Sequence, residues 1–357
     1  MKERLRERLL LIAPKLGYPM FYVLALAIFA SWTFPFDKIK QRVVVGFNAE
    51  QRAAGSSKEL SIDELASSWL TGVRLTGIHL LDTTATDHAK PPAELKIDSV
   101  VVRVALLPLL AGNHDVSFHA SAFGGTVEGS WTEHGKDVDF EATLEGLDVG
   151  QVTPIADFLE APAEGTLDGT ISVELPEGKV VDPKTGAVSF KTNKANGSIS
   201  LEAKDLAIGD GKAKVRGALA IPRLSMGTLT VTAEVKDGSV RVSKLVASSK
   251  DVEFAGDGRI MLREPMPEST GDFNVRFKIN DAYRSKNDTT KSLFGAPGST
   301  IPGVMDLDPK MKQSKRADGF YTWHGRGPLT KLDFSPGGTG GPTTSPGGAA
   351  SASRAGP

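Results

Sequence analysis

The chain has 357 residues, 42 basic against 43 acidic, with six histidines, 38 glycines and no cysteine. Charges that nearly cancel leave no global field to recruit nucleic acid or an anionic surface. Without cysteine there is no disulfide, no thiolate nucleophile and no thiolate-held metal, and an oxidising compartment poses no hazard.

At the N-terminus, MKERLRERLLLIAPK sets Lys2, Arg4, Arg6, Arg8 and Lys15 against Glu3 and Glu7. GYPMFYVLALAIFASWTF, residues 17–34, then runs without a charge. A span needs at least about 17 such residues, and Tyr18, Tyr22 and Trp32 stand where interfacial aromatics belong. The pattern predicts a basic cytoplasmic segment over 1–16, a transmembrane helix over 17–34, and the rest of the chain beyond the membrane. A cleaved signal peptide would want small residues after the apolar run, where IFASWTFPF has bulky ones. The segment reads as an uncleaved, single-pass anchor.

Over 35–58 the spacing of Phe36, Ile39, Val43 and Phe47 predicts an amphipathic juxtamembrane helix and linker, ended by Gly55 and Ser56. Its apolar stripe suits either the membrane surface or the domain that follows. In SIDELASSWLTGVRLTGIHL (61–80), SIDELA reads as a short helical turn and Gly72 as a bend. Val73, Leu75 and Gly77 then alternate with Arg74 and Thr76. Trp69 is expected to be a structural anchor that plugs the corner between them.

From there the period is two. DVDFEATLEG puts Val138, Phe140, Ala142 and Leu144 opposite Asp137, Asp139, Glu141 and Thr143. SISLEAKDLAIG, TLTVTAEVKDG and GDFNVRFKIND repeat the alternation, the last with Phe273, Val275, Phe277 and Ile279 opposite Asn274, Arg276 and Lys278. Each predicts a strand with one apolar face. Turn signals separate them: EGKVVDPKTG, KANG, GDGK, KDGS and GDGR. No helix of crossover length lies between strands, so the sheet is a long antiparallel meander. Two helical interruptions are predicted, DVGQVTPIADFLE with Thr153 as cap and Pro154 at its first position, and DAYRSKNDTTKSLFG ended by Gly295. Residues 296–319 read as a long loop and 335–357, rich in Gly, Pro and Ser, as a disordered tail.

A search for chemistry yields nothing that converges. His114 and His119 are an odd offset apart, which sends them to opposite faces of one strand. His79, His88, His134 and His324 have no companion at ligand spacing. Asp137, Asp139 and Glu141 form a carboxylate row best explained as the solvated side of a strand. DLDP (306–309) lacks the Gly and distal Glu of a calcium loop. GDG at 209–211 and at 256–258 reads as a tight turn each time, since neither opens a helix after a strand. Lys310, Lys312, Lys315 and Arg316 form a basic loop cluster without the aromatics of a nucleic-acid surface. No catalytic, metal or cofactor residue is assigned, and the chain reads as a non-enzymatic assembly or scaffold component.

The order of these pieces resembles a family. The apolar span followed by FPFDKIKQRV, the motif SIDELASSWLTGVRLTGIHL, then 101–131, 144–175 and GRGPLTKLDFSP (325–336) look like type II secretion system protein N. The match covers 20–336. The same pieces are similar to AsmA-like periplasmic β-domains, through Pro108–Gly112, Gly124–Gly129 and Gly165–Gly169. The resemblance implies a mainly β protein: one transmembrane helix, then an open, curved antiparallel sheet over 59–334 with a few short helices. It implies an inner-membrane location with the main domain periplasmic, secretion-system proteins as partners, and no cofactor. The AsmA-like side implies contact with membrane lipid and a lipid ligand in an apolar groove, for which Leu229, Val231, Val235, Phe273, Val275 and Phe277 are the candidates.

Overall fold

Alternation of period two becomes strand after strand in the computed structural model. It describes residues 33–337 apart from 54–56, 70, 83–92, 153–160, 182–187, 213, 216–218, 265–267 and 330, together with Tyr18, Phe21, Tyr22, Ala25, Leu26 and Phe29. Among the described residues no helix is long and apolar enough to cross a membrane. The expected span over 17–34 falls mostly outside them, as do the helix expected at Thr153–Leu159 and the tail from 338 onward. The chain divides into two compact units, one ending at Leu106 and the other beginning at Leu107.

In the first unit α1 (Phe36–Ala53) precedes β1 (Lys58–Ser68), β2 (Gly72–Asp82) and β3 (Ala93–Val104), which pair antiparallel in sequence order. An edge strand exposes unpaired amides that template aggregation, and α1 closes this one. The Asn48 side chain accepts from Leu60 N (2.7 Å) and donates to Leu60 O (3.1 Å), reproducing a strand partner at one residue. Lys40 Nζ donates to the Asp63 carbonyl at 2.8 Å, and Arg52 pairs with Glu59 at 3.2 Å. The stripe differs by one position from expectation: Ile39, Val44 and Phe47 are partly buried, while Val43 stays exposed. Asn48→Ala leaves the Leu60 amide and carbonyl without those partners, at about 1–2 kcal/mol. The expected outcome is faster amide exchange at Leu60 with the β2–β3 pairing unchanged.

Two expectations about the entry to the sheet are corrected here. SIDELA is no helical turn: Ser61 through Ala66 lie inside β1, with Ile62 opposite Ile78 and Leu65 opposite Leu75. Trp69 plugs no corner, because its side chain is 82% exposed in the β1–β2 turn. Its φ of 64° lies in the left-handed region, which bulky residues rarely adopt.

The short helix α2 (Leu106–Leu110) leads into the second unit. Its sheet runs β4 (His114–Ala122), β5 (Gly125–His134), β6 (Asp137–Asp148), β7 (Ala163–Leu175), β10 (Asn196–Ile208), β13 (Leu224–Lys236), β14 (Ser239–Ser248), β15 (Val252–Met261), β16 (Thr270–Ile279), β17 (Tyr321–Pro328) and β18 (Asp333–Pro336). Every neighbouring pair is antiparallel. This is the mainly β, antiparallel architecture the periodicity predicts. Two small hairpins, β8 (Lys179–Val181) with β9 (Val188–Phe190) and β11 (Lys214–Val215) with β12 (Leu219–Ala220), branch from it. KDGS makes the β13–β14 hairpin, with Asp237 at φ 47° and Gly238 at φ 70°, as a primed turn requires.

The excursion between β16 and β17 contains α3 (Asp281–Arg284) and α4 (Asp288–Phe294), the latter ended by Gly295 as expected. The stretch 296–319 is not a plain loop, since it holds α5 (Val304–Leu307) and α6 (Pro309–Ser314). DLDP is the start signal for α6: the Asp308 carboxylate accepts from Lys310 N and Met311 N, and Pro309 opens the helix. The last strand runs through Ser335 and Pro336, two residues into the stretch expected to be tail.

Candidate functional site

The pleat sorts the second sheet into two chemically opposed faces. Reading residue to opposed residue from β4 to β18, one row is Phe118, Gly129, Ala142, Ile171, Ile199, Ala233, Val242, Gly258, Phe273, Gly325 and Phe334. No member carries a polar side chain. The next row on that face runs from Ala120 and Val127 through Leu201, Val231 and Leu245 to Val275 and Trp323, equally free of charge. The neighbouring residues face the other way and are polar on every strand: Ser117, Ser130, Glu141, Ser172, Ser198, Glu234, Arg241, Arg259, Asp272, Arg326 and Asp333.

All six groove residues read from the sequence stand on the apolar face. Val231 and Val275 share one row, Phe273 lies in the row beside it, and Leu229 and Phe277 occupy a parallel row through Ala247 and Phe254. Val235 belongs to the same face but is buried, packed with Val240 and Ala195 at one end. The sequence reading gave Phe140 of β6 an apolar strand face but left it out of the groove, and it missed the contribution of β4, β5, β7 and β17, above all Phe118, Trp131, Ile171 and Trp323. Alternation in GTVEGSWTEH was the available signal.

An antiparallel sheet ordinarily buries such a face under a second layer. Among the described residues the only α-helix with more than marginal contact to these strands is α6, against β17 and β18. The β8–β9 hairpin covers one end, where Phe190 packs edge-on to Trp131 with ring centroids 5.2 Å apart and Lys179 pairs with Glu133. Between the ends, Phe118, Ile171, Ile199, Leu201, Val231, Leu245, Phe273 and Val275 are all only partly buried. They shield one another and little else does.

Glycines let the large side chains lie flat. Phe118 stacks on Phe140 at 6.2 Å across Gly129, whose Cβ would fall 2.5 Å from the Phe118 ring. Gly258 seats Phe273 in the same manner, at 2.4 Å. The second GDG is therefore no turn: 256–258 lies inside β15, and only GDG 209–211, with Gly209 at φ 79° and Gly211 at φ 76°, reverses the chain. Aromatic cover of strand glycines is a known stabilising device. Ten spacings of about 4.8 Å make the row roughly 48 Å long. That exceeds the ~30 Å of a bilayer core, which is two acyl chains deep.

A concavity of about 230 Å³ opens among Lys278, Asp281, Arg284, Phe294, Lys315 and Tyr321. Most of its charges are already spent. Arg284 donates to the Gly295 carbonyl and Asp281, while Asp306 accepts from Lys315 Nζ and Tyr321 Oη, both at 2.6 Å. Arg316 of the basic cluster donates to Thr322 Oγ1 and the Gly337 carbonyl. These contacts clip the helical excursion to the sheet. Beside them the Tyr283 hydroxyl donates to the Pro222 carbonyl at 2.5 Å, and burial, with the charge of Asp251, pushes this phenol up to about 12.

Burial disfavours the charge of Asp306, but the bonds from Lys315 and Tyr321 outweigh it and hold the carboxyl below its ordinary value. A carboxylate lowered in the folded state contributes stability above its unfolded pKa and loses it as pH falls through the folded one. The thermal midpoint of this unit is expected to drop below about pH 4. Asp306→Asn should flatten that slope, as read by melting curves at stepped pH.

His88 lies outside the described residues; the described histidines pair across strands instead of converging. His79 lies 2.5 Å from Glu94, His119 2.8 Å from Glu128 and His324 2.8 Å from Asp272, while His114 meets Glu133 at 3.4 Å on the opposite face from His119. Asp137, Asp139 and Glu141 point to solvent along β6. Among the described residues no group of three or more potential ligands is placed to hold a metal.

Comparison with protein-family models, curated proteins and solved structures finds no match. The functional reading therefore rests on the sheet itself.

Proposed function

We propose that this chain is a non-enzymatic component of the bacterial envelope, anchored in the inner membrane with its sheet on the periplasmic side. The sheet binds an elongated apolar ligand, the acyl chains of a membrane lipid, along its uncharged face. One observation carries the reading: two uncharged rows cross the sheet from β4 to its last strands with most of their large side chains only partly buried. Soluble monomers rarely expose contiguous apolar patches beyond a few hundred Å². A binding face lined only by apolar side chains and backbone selects for apolar character and length, not for a headgroup.

The full chain, purified in a mild detergent and extracted with organic solvent, should release phospholipid at about one or more molecules per chain. Absence of lipid, with the sheet intact by circular dichroism, would count against the reading. The resemblance to type II secretion system protein N adds a proposal about partners. A secretion-system subunit would then bind this chain, and affinity purification from membranes should recover it. Recovery of such subunits with a lipid-free sheet would transfer the apolar face from lipid to protein.

A further inference from the structure

One charge in the concavity at the end of β16 is not spent. Lys278 lines it and forms no ion pair among the described residues; its ammonium stands over the Phe320 ring, 5.7 Å from the centroid. Arg284 and Lys315 line the same space, paired with Asp281 at 3.1 Å and with Asp306 at 2.6 Å. Three cations against two carboxylates leave one positive charge over these residues. Donors remain as well. An ammonium carries three N–H groups, and Lys315 Nζ spends one of them on Asp306. One water needs about 10–15 Å³ of such space, so a concavity of about 230 Å³ has room for a phosphate and its glycerol.

The concavity also adjoins the apolar face. The row through Leu229, Ala247, Phe254 and Phe277 continues one strand further, to Tyr321. Phe277 and Tyr321 stack with ring centroids 5.3 Å apart. Tyr321 and Ile279 both line the concavity, and Ile279, like Phe277 and Leu229, packs against the buried cluster around Ala247 and Val252. An uncharged track thus ends in a cationic hollow. That juxtaposition complements an amphiphile whose head carries a single negative charge.

We infer that this concavity takes a singly charged phosphate ester, the headgroup phosphate of the lipid whose acyl chains lie on the apolar face. Lys278 supplies the charge as a point cation, and Lys315 adds its spare donors. The source of the phosphate rests on the apolar-ligand reading above, whereas the charge balance of the concavity stands without it. The face then selects the chains and the hollow selects the head.

The full chain in mild detergent is incubated with equal amounts of phosphatidylglycerol and of diacylglycerol bearing the same acyl chains. Gel filtration removes unbound lipid, and mass spectrometry of the extract gives the ratio retained. Wild type should favour phosphatidylglycerol by about tenfold. Lys278→Glu, which makes the concavity net negative, should bring the ratio to about one, and Lys278→Gln should fall between. Lys310→Glu, exposed on α6 outside the concavity, should keep the wild-type ratio, which separates this site from charge in general. Unchanged circular dichroism checks the fold of each variant. A second arm titrates glycerophosphoglycerol, the same head without chains, by calorimetry. Binding that Lys278→Glu abolishes, with a lipid ratio near one, would keep the phosphate site and assign it a free ester. A ratio that is near one in wild type or unmoved by Lys278→Glu, together with no Lys278-dependent binding of the free head, would overturn the inference. Retention of neither lipid would sink the apolar-face reading, and the titration would then decide the concavity by itself.

Discussion

Val231→Glu will leave the second sheet folded and empty it of lipid. Val231 stands mid-sheet on β13, between Leu201 of β10 and Leu245 of β14, and is only partly buried. In the free protein a glutamate there can reach water, so the fold should lose no more than about 1–2 kcal/mol. Under an acyl chain the same carboxylate is desolvated with no charged side chain in its row to pair with, a penalty of several kcal/mol. Each 1.4 kcal/mol is about a factor of ten, so lipid recovered per chain should fall at least about tenfold. Ser200→Glu, one residue from Leu201 on the polar face, should change lipid content little. Equal losses from both substitutions would show that charge alone, not the apolar row, governs the result.

Gly197→Val is expected to unfold the same sheet. Gly197 sits at φ 153° where β10 passes β7, and a Cβ there would fall 2.0 Å from the Ser172 carbonyl oxygen. That oxygen is backbone, fixed by the β7–β10 ladder, so no rotamer change relieves the overlap. Backbone strain of about 1–3 kcal/mol adds to overpacking of about 1–3 kcal/mol. A loss of about 3 kcal/mol or more should appear in the denaturant midpoint. Gly112→Ala gives the comparison: its φ is also positive, at 82°, but the space around it is open, so only the conformational cost of about 1 kcal/mol remains.

The alternation over 137–146, 198–204, 228–235 and 271–279 was legible because a strand with one wet face writes its period into the sequence. From those four segments the apolar face could be inferred on β6, β10, β13 and β16. Its continuity could not, because that depends on register: Ile171 meets Ile199, and Ala233 meets Val242 across a bulge. The same tripeptide GDG turns at 209 and runs straight at 256, and the difference lies in Phe273, which needs Gly258 for its ring. SIDELA looked helical because Ile62 and Leu65 are three apart, yet they sit on opposite faces of β1. Trp69 was misplaced for a related reason. Apolar character next to a bend suits a plug or an exposed tip equally, and only the backbone angle decides between them. The cap at Asn48 left no trace in periodicity, being one polar side chain matched to one residue of a strand.

The most direct test of the central claim is photocrosslinking in membranes with phospholipid that carries a diazirine near the end of one acyl chain. Adducts are predicted on the apolar rows, at Phe118, Ile171, Ile199, Val231 and Phe273, with none on Ser117, Ser172 or Arg241. Labelling confined to residues 17–34, or spread equally over both faces of the sheet, would contradict the account.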